Sequence, residues 1–426
     1  MRLNVTLGLL AGMQLLAGLL AQLALLRLVG AGQETDAYIA AQALPMALFA
    51  VLSVSLQSVW QPRLALACED PIRWNQEQGL AQGQTFLCFG LPSALLWVTG
   101  TVWIPIVFPG LSATQIETVA ELNGLLLLAG MLNGHVSLLI TAFRAQRHYL
   151  IGEAVSLFGY CVALGLIVWW VPAYGVAAAA WAMLVKAFLA YAWLGSQSSR
   201  CRPDLRGGAG ASSVWRQLRP LLLGSSLYKT SPLVDRFWSS QATAGSLTVF
   251  SLAHTAMGAV AAIIEKAIAT PVAPELARYV SQNRFDLLKK EYRQCLARTT
   301  CLGLLFSFFL WASQSFLTRQ AADWLHLSPQ LAHTLWLICM LLTVYLVAAA
   351  GGTIVVNAFY ALGNTRTPVQ IGVVGFGCGV VLKSIGFLVY GLPGLAAATS
   401  AYYAANLLTL VFVLEKHVNA NLSPQR

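Results

Sequence analysis

Apolar runs long enough to cross a bilayer occupy most of this chain. Twelve can be marked, near residues 4–28, 37–60, 84–108, 119–143, 150–171, 174–195, 220–242, 245–273, 296–318, 333–360, 368–390 and 393–414. A bilayer core takes roughly 20 residues per helix, and each run supplies about that length. Hydrophobic residues make up 58% of the 426 and charged ones only 10%, too few to coat a soluble globule. The expected fold class is all-α and polytopic, with about 12 transmembrane helices.

The chain is also written twice. Ala142-Phe143 returns as Ala358-Phe359, and Gly175-Val176-Ala177-Ala178 returns as Gly394-Leu395-Ala396-Ala397, each time half the chain later. Pro62 with Leu64-Ala65 is echoed by Pro274 with Leu276-Ala277. Six spans fall in each copy, and an even number inserts both copies with one orientation. The repeat is therefore expected to be parallel: two six-helix lobes with a substrate path between them. The expected organisation is an N-terminal lobe over 1–195, a basic Gly/Ser/Arg linker over 196–219 and a C-terminal lobe over 220–426.

The formal net charge of +10 raises nucleic acid as a partner, but its placement points elsewhere. With the N-terminus inside, 19 of the 26 basic residues fall in inner segments, as the positive-inside rule requires. Both termini are then cytoplasmic, and no nucleic acid is expected. Met1–Gly30 resembles a secretory signal, yet its apolar run is longer than a signal core and reads as the first span. None of the eight cysteines falls in an outer loop, so no disulfide is expected, and none has zinc spacing. No metal site or cofactor is expected. The segment 274–298 reads as an amphipathic helix lying on the inner leaflet.

Charges inside the apolar runs are the sharpest functional signal, because each costs several kcal/mol unless paired or hydrated. Glu153 and Lys186 lie in spans five and six. Span seven carries Lys229, Asp235 and Arg236, span eight carries His254, Glu265 and Lys266, and span eleven carries Lys383. Lys229, Lys186 and Lys383 lie deep with no acid nearby in sequence. Together with Arg236 they are the candidate ligands for an anionic substrate. Nucleotide-binding motifs are missing, so an ion gradient, the membrane potential or the substrate gradient must drive transport.

Several motifs resemble one family. Gly30-Ala31-Gly32-Gln33-Glu34-Thr35-Asp36-Ala37-Tyr38, followed by Pro45, is similar to the first outer loop and second span of the MurJ/MviN family. That family belongs to the multidrug/oligosaccharidyl-lipid/polysaccharide exporter superfamily. Val234-Asp235-Arg236 with Gly245-Ser246-Leu247 resembles its seventh-span turn, and Asn357-Ala358-Phe359 with Asn364-Thr365 and Thr367-Pro368 its tenth-to-eleventh junction. The resemblance implies two bundles around a central cavity, alternating access and flipping of polyprenyl-pyrophosphate-linked sugars. The chain departs from the family at Leu15, Ala21 and Phe49, where cavity arginines are expected, and at His254-Thr255, where an Asp-Arg pair is expected. These departures imply a cargo other than lipid II.

The expected function is thus a flippase, not an enzyme, in a bacterial inner membrane, carrying a lipid-linked saccharide for cell-wall or polysaccharide biogenesis. Candidate gating or coupling residues are Asp36, Arg27, Asp235, His254, Glu265 and Lys266. Expected partners are the substrate, membrane lipids and a coupling ion, with a monomeric protein. An ion-coupled exporter of small molecules on the same fold is the alternative. A membrane glycosyltransferase or polymerase fits less well, for want of a large outer loop or a charged catalytic cluster.

Overall fold

A computed structural model of the chain describes residues 2–198, 214–219, 222 and 229–422, and all its regular structure is helical. The elements are α1 (Arg2–Val29), α2 (Gln33–Ala67), α3 (Pro71–Val98), α4 (Gly100–Val107), α5 (Ala113–Ala145), α6 (Tyr149–Gln197) and α7 (Ser231–Ser239). They continue with α8 (Ser246–Ile264), a π-helical turn (Glu265–Ala269), α9 (Thr270–Ser281), α10 (Phe285–Ala312) and α11 (Gln314–Leu325). The last are α12 (Pro329–Leu341), α13 (Thr343–Ala361) and α14 (Arg366–Leu422). Eight described helices are long and apolar enough to cross a membrane, or nine if α3 and α4, bent by 83°, form one span. Of the expected seventh span, 220–242, residues 222 and 229–242 are described, whereas the 196–219 linker falls largely outside the described residues, and so does Cys201.

Two of these helices are too long for one crossing. α6 has 49 residues and α14 has 57. At 1.5 Å per residue each would exceed ~70 Å, against a hydrocarbon core of about 30 Å. Each is broken once, at Gly175 (φ 58°, ψ −149°) and at Gly391 (φ 61°, ψ −141°), a conformation that only glycine adopts without strain. The two breaks are separated by the same interval as Ala142 and Ala358. Backbone geometry therefore pairs Gly175 with Gly391, whereas the sequence match pairs it with Gly394. Gly394 serves helix packing instead. A methyl group there would overlap the Gly386 carbonyl, so the bare backbone permits close approach.

A second turn repeats at that interval. At the end of α5, the amides of Gln146, Arg147 and His148 donate to the carbonyls of Ala142, Arg144 and Phe143. After α13, Leu362, Gly363 and Asn364 donate to Ala358, Tyr360 and Phe359 in the same pattern. The central residue is left-handed in both, Arg147 at φ 65° and Gly363 at φ 72°.

The chain divides into two compact units, Met1–Thr248 and Val249–Arg426. In the first, α5 packs along α6 and α2, and α3 packs on α5. In the second, α13 packs along α14, and α10 packs on α13. Small residues allow the closest approaches: Ala37, Ala40, Ala41 and Ala43 of α2 share one core cluster with Ala178, Ala179, Ala180 and Ala182 of α6.

Two expectations change. The third span, expected over 84–108 as one run, turns through 83° at Thr99, where Val102 and Trp103 both donate to the Thr99 carbonyl and start a new helix. The segment 274–298 is not one surface helix. It holds the end of α9, a turn at Asn283 (φ 55°) and the start of α10. Its Leu276, Leu288 and Tyr292 are fully buried with Ile354, Phe359 and Leu414, so protein rather than lipid covers its apolar face.

Two variants at equivalent turns should move stability in opposite directions. Arg147→Gly relieves a left-handed non-glycine residue and should raise stability by about 1 kcal/mol, whereas Gly363→Ala should lower it by about 1–2 kcal/mol. Gly391→Ala should cost about 1–3 kcal/mol through backbone strain alone, because a methyl group there meets nothing within 4 Å. Thermal unfolding of the purified variants checks all three.

Candidate functional site

The start of α2 is fixed by local bonds. Thr35 Oγ1 accepts from the Gly32 amide and donates to the Gly30 carbonyl, each at 3.0 Å. This presents the next side chain, Asp36, 4% exposed, to the turn that opens α8. Its carboxylate accepts from the amides of Gly245 (2.6 Å) and Thr248 (2.8 Å) and from the Thr248 hydroxyl (2.6 Å). Asp36 thus caps, from the far end of this unit's sequence, a helix N-terminus whose free amides and dipole favour a negative charge. Gly245 (φ 86°) permits the approach, since a methyl group there would sit 3.0 Å from the Ala31 carbonyl oxygen.

Further along α2 two cations meet one face of the helix. Lys229 Nζ donates to the Ala50 carbonyl at 3.0 Å, and Arg236 Nη2 lies 3.7 Å from Met46 Sδ. Met46 and Ala50 are one turn apart, so the two cations line up along α2. Both acceptors are neutral, and a thioether is a weak one. Asp235, next to Arg236 in sequence, is 3% exposed. Arg27, in the last turn of α1, is exposed.

The other two candidate lysines rest on aromatic rings. Lys186, in the second arm of α6, places Nζ 3.6 Å from the ring centre of Tyr160 in the first arm. Its aliphatic stem crosses Gly159, where a methyl group would come within 3.1 Å of Lys186 Cγ. In the second unit Lys383, 1% exposed, sits in the first arm of α14, 5.8 Å from the ring centre of Tyr402 in the second. Each repeat therefore joins the arms of its broken helix by one cation–ring contact, worth up to about 2 kcal/mol when desolvated. The partners are exchanged: Tyr402 occupies the position in the second copy that Lys186 occupies in the first.

The second unit extends this contact into a row of rings. Tyr402 meets Tyr403 edge-on at 4.9 Å, Tyr403 meets Tyr345 at 4.7 Å, and Tyr345 stacks on His254 at 5.0 Å. His254 on α8 and Lys383 on α14, unrelated in sequence, are the two ends of this row. Glu265 and Lys266 open the π turn, in which the Thr270 amide reaches back five residues to the Glu265 carbonyl. Pro271 follows, with no amide to donate and a ring that crowds the carbonyl four residues back, and the widened turn relieves that crowding. The Thr353 side chain on α13, whose hydroxyl donates to the Ala349 carbonyl at 3.4 Å, lies near the Glu265 carboxylate.

The structure thus brings Lys229 and Arg236 together along α2, links His254 to Lys383 through tyrosines, and sets Asp36 as a helix cap. It places Lys186 on Tyr160 and Glu265 and Lys266 in a π turn. Sequence reasoning did not single out Tyr160, Tyr345, Tyr402, Tyr403 or Thr248. A search for opposite charges passes over rings and amides, although the tyrosine that replaces Lys186 in the second copy is a signal that the repeat makes available.

Solved structures with the same fold have low identity. A structure of the lipid II flippase MurJ in an inward closed conformation matches with a TM-score of 0.80 at 15% identity, covering 96% of this chain and 87% of that one. An inward-facing multidrug resistance transporter of the MATE family matches at 0.82 and 14%, covering 96% of both chains. A MOP superfamily transporter from Pyrococcus furiosus, described as having a binding pocket of reverse polarity, matches at 0.64 and 15%, covering 98% and 96%. No curated protein matches the sequence. The family model described as lipid II flippase MurJ matches residues 25–424. The chain is a multi-pass membrane protein that belongs to the MurJ lipid II flippase family.

Proposed function

We propose that the chain flips a polyprenyl-pyrophosphate-linked saccharide across the bacterial inner membrane, with both termini cytoplasmic and the two repeat copies acting as lobes joined by residues 196–219. The observation that carries this reading is the pair of cations along α2. Lys229 and Arg236 are held by a carbonyl and a thioether rather than by carboxylates. Among the described residues neither cation makes a carboxylate ion pair within 4.0 Å, although Asp235 lies beside Arg236, and donors remain on both for a phosphate. These two residues are the proposed phosphate ligands. Lys186 and Lys383, resting on tyrosine rings, add positive potential without leaving their positions.

Asp36 is the proposed gating group, since its three bonds hold the head of α8 to the start of α2 and must break if the two separate. His254, Asp235, Glu265, Lys266 and Arg27 remain the candidates for coupling to an ion. The protein is proposed to act as a monomer, with the lipid tail left in the bilayer.

Neutralising a charged hydrogen-bonding partner costs about 1.5–3 kcal/mol, roughly tenfold or more in affinity. Lys229→Ala and Arg236→Ala should each reduce flipping about tenfold, and the double variant should accumulate the lipid-linked precursor on the cytoplasmic leaflet at unchanged protein levels. Normal export by a well-expressed double variant would remove both from the site. Asp36→Asn, which offers one acceptor oxygen in place of two, should lower stability by about 1–3 kcal/mol and slow transport together. Transport of cationic dyes by the purified protein, without lipid-linked sugar, would instead fit the small-molecule exporter.

A further inference from the structure

Among the described residues of the first unit, five side-chain atoms are buried without a hydrogen-bond partner; Asn123 Oδ1 stands apart on α5, and the other four lie within about one turn of one another in register. These four are Trp60 Nε1 on α2, and Gln84 Nε2, Gln84 Oε1 and Thr85 Oγ1 on α3. Trp60 and Thr85 are 0% exposed and Gln84 is 4% exposed. Two contacts fix how α2 and α3 run past each other: Arg63 pairs with Glu77 at 2.9 Å, and the Phe49 and Phe89 rings lie 6.3 Å apart. Between these points Gln84 and Thr85 come alongside residues 53–56 of α2, and Trp60 stands one turn further along. α5 meets the same level, where Gln57 Nε2 donates to Ser137 Oγ at 2.6 Å. One turn away a methyl group at Gly134 would lie 2.5 Å from the Phe89 ring.

The result is a polar belt, shared by three helices, inside an apolar span. Gln57 stands ten residues, ~15 Å, before the end of α2 at Ala67. On the inner side the belt continues into the half-buried Arg63–Glu77 pair. On the other side Phe49 and Phe89, with Phe89 seated on Gly134, close it with apolar surface.

The donor set selects the occupant. Trp60 and the Gln84 amide nitrogen offer only N–H donors, the Gln84 oxygen only accepts, and the Thr85 hydroxyl does both. A cation would need oxygens alone and an anion would need donors alone. Water serves both kinds, and polar groups in protein interiors commonly satisfy one another through it. We infer that the first unit holds an internal hydration site between α2, α3 and α5, in which ordered water bonds Trp60, Gln84 and Thr85. The site is separate from the proposed phosphate ligands.

Two measurements on the full-length protein test this. Pulsed hydroxyl-radical labelling by water radiolysis should oxidise Trp60 despite its burial, while Phe108, equally buried among apolar side chains, stays unlabelled. Thr85→Val, nearly isosteric, should lower the melting temperature by about 2–4 °C, because it removes a hydroxyl that is bonded to water. If the hydroxyl sits dry and unbonded, the same change leaves the melting temperature unchanged or raises it. Labelling of Trp60 no greater than that of Phe108, or a Thr85→Val variant at least as stable as the parent, overturns the inference. If the variant does not fold, labelling of Trp60 in the unmodified protein decides.

Discussion

Backbone amides and carbonyls inside hydrocarbon have no water to turn to, and this constraint shapes every irregularity in the fold. Where a helix must stop or bend, another group takes up the exposed bonds. Asp36 supplies the acceptors for the opening turn of α8. The Thr99 carbonyl serves two amides at the bend between α3 and α4. The π turn at Glu265 keeps a five-residue bond where Pro271 would crowd a four-residue one. At Gly175 and Gly391 a residue without a side chain is the simplest way to reverse a long helix in a small space.

The same constraint governs the charges. A lysine in this setting needs a partner, and a carboxylate is only one kind. Lys186 and Lys383 use ring faces, and Lys229 uses a carbonyl. A ring face or a carbonyl stabilises a cation without itself carrying a formal charge. Under the proposed function such partners suit an anionic cargo, because a carboxylate would compete with it.

Much of the fold was legible in the hydropathy of the chain. The apolar runs mark the helices, and the boundaries expected near 171–174 and 390–393 fall within a few residues of the two glycine breaks. The repeat was legible as well, but its register at the second break was not. Gly394 is followed by the same small apolar residues as Gly175, so composition pairs those two, while the backbone demands positive φ at Gly391. The partners of the buried charges were hidden for a different reason. Asp36 and Gly245 lie far apart in sequence, and rings and amides carry no formal charge to betray them. The polar belt of Gln84 and Thr85 escaped notice because neutral side chains cost less in a span than the charges that drew attention.

The two glycine breaks have the same backbone geometry but different surroundings. The space beside Gly175 is bounded by Glu34 of α2, whose Oε2 lies 3.6 Å from where a methyl group would project; beside Gly391 there is nothing within 4 Å. A side chain added at the first joint would meet the carboxylate of α2, and one added at the second would enter open space, so the two copies, alike in backbone, differ in what each joint could be decorated with.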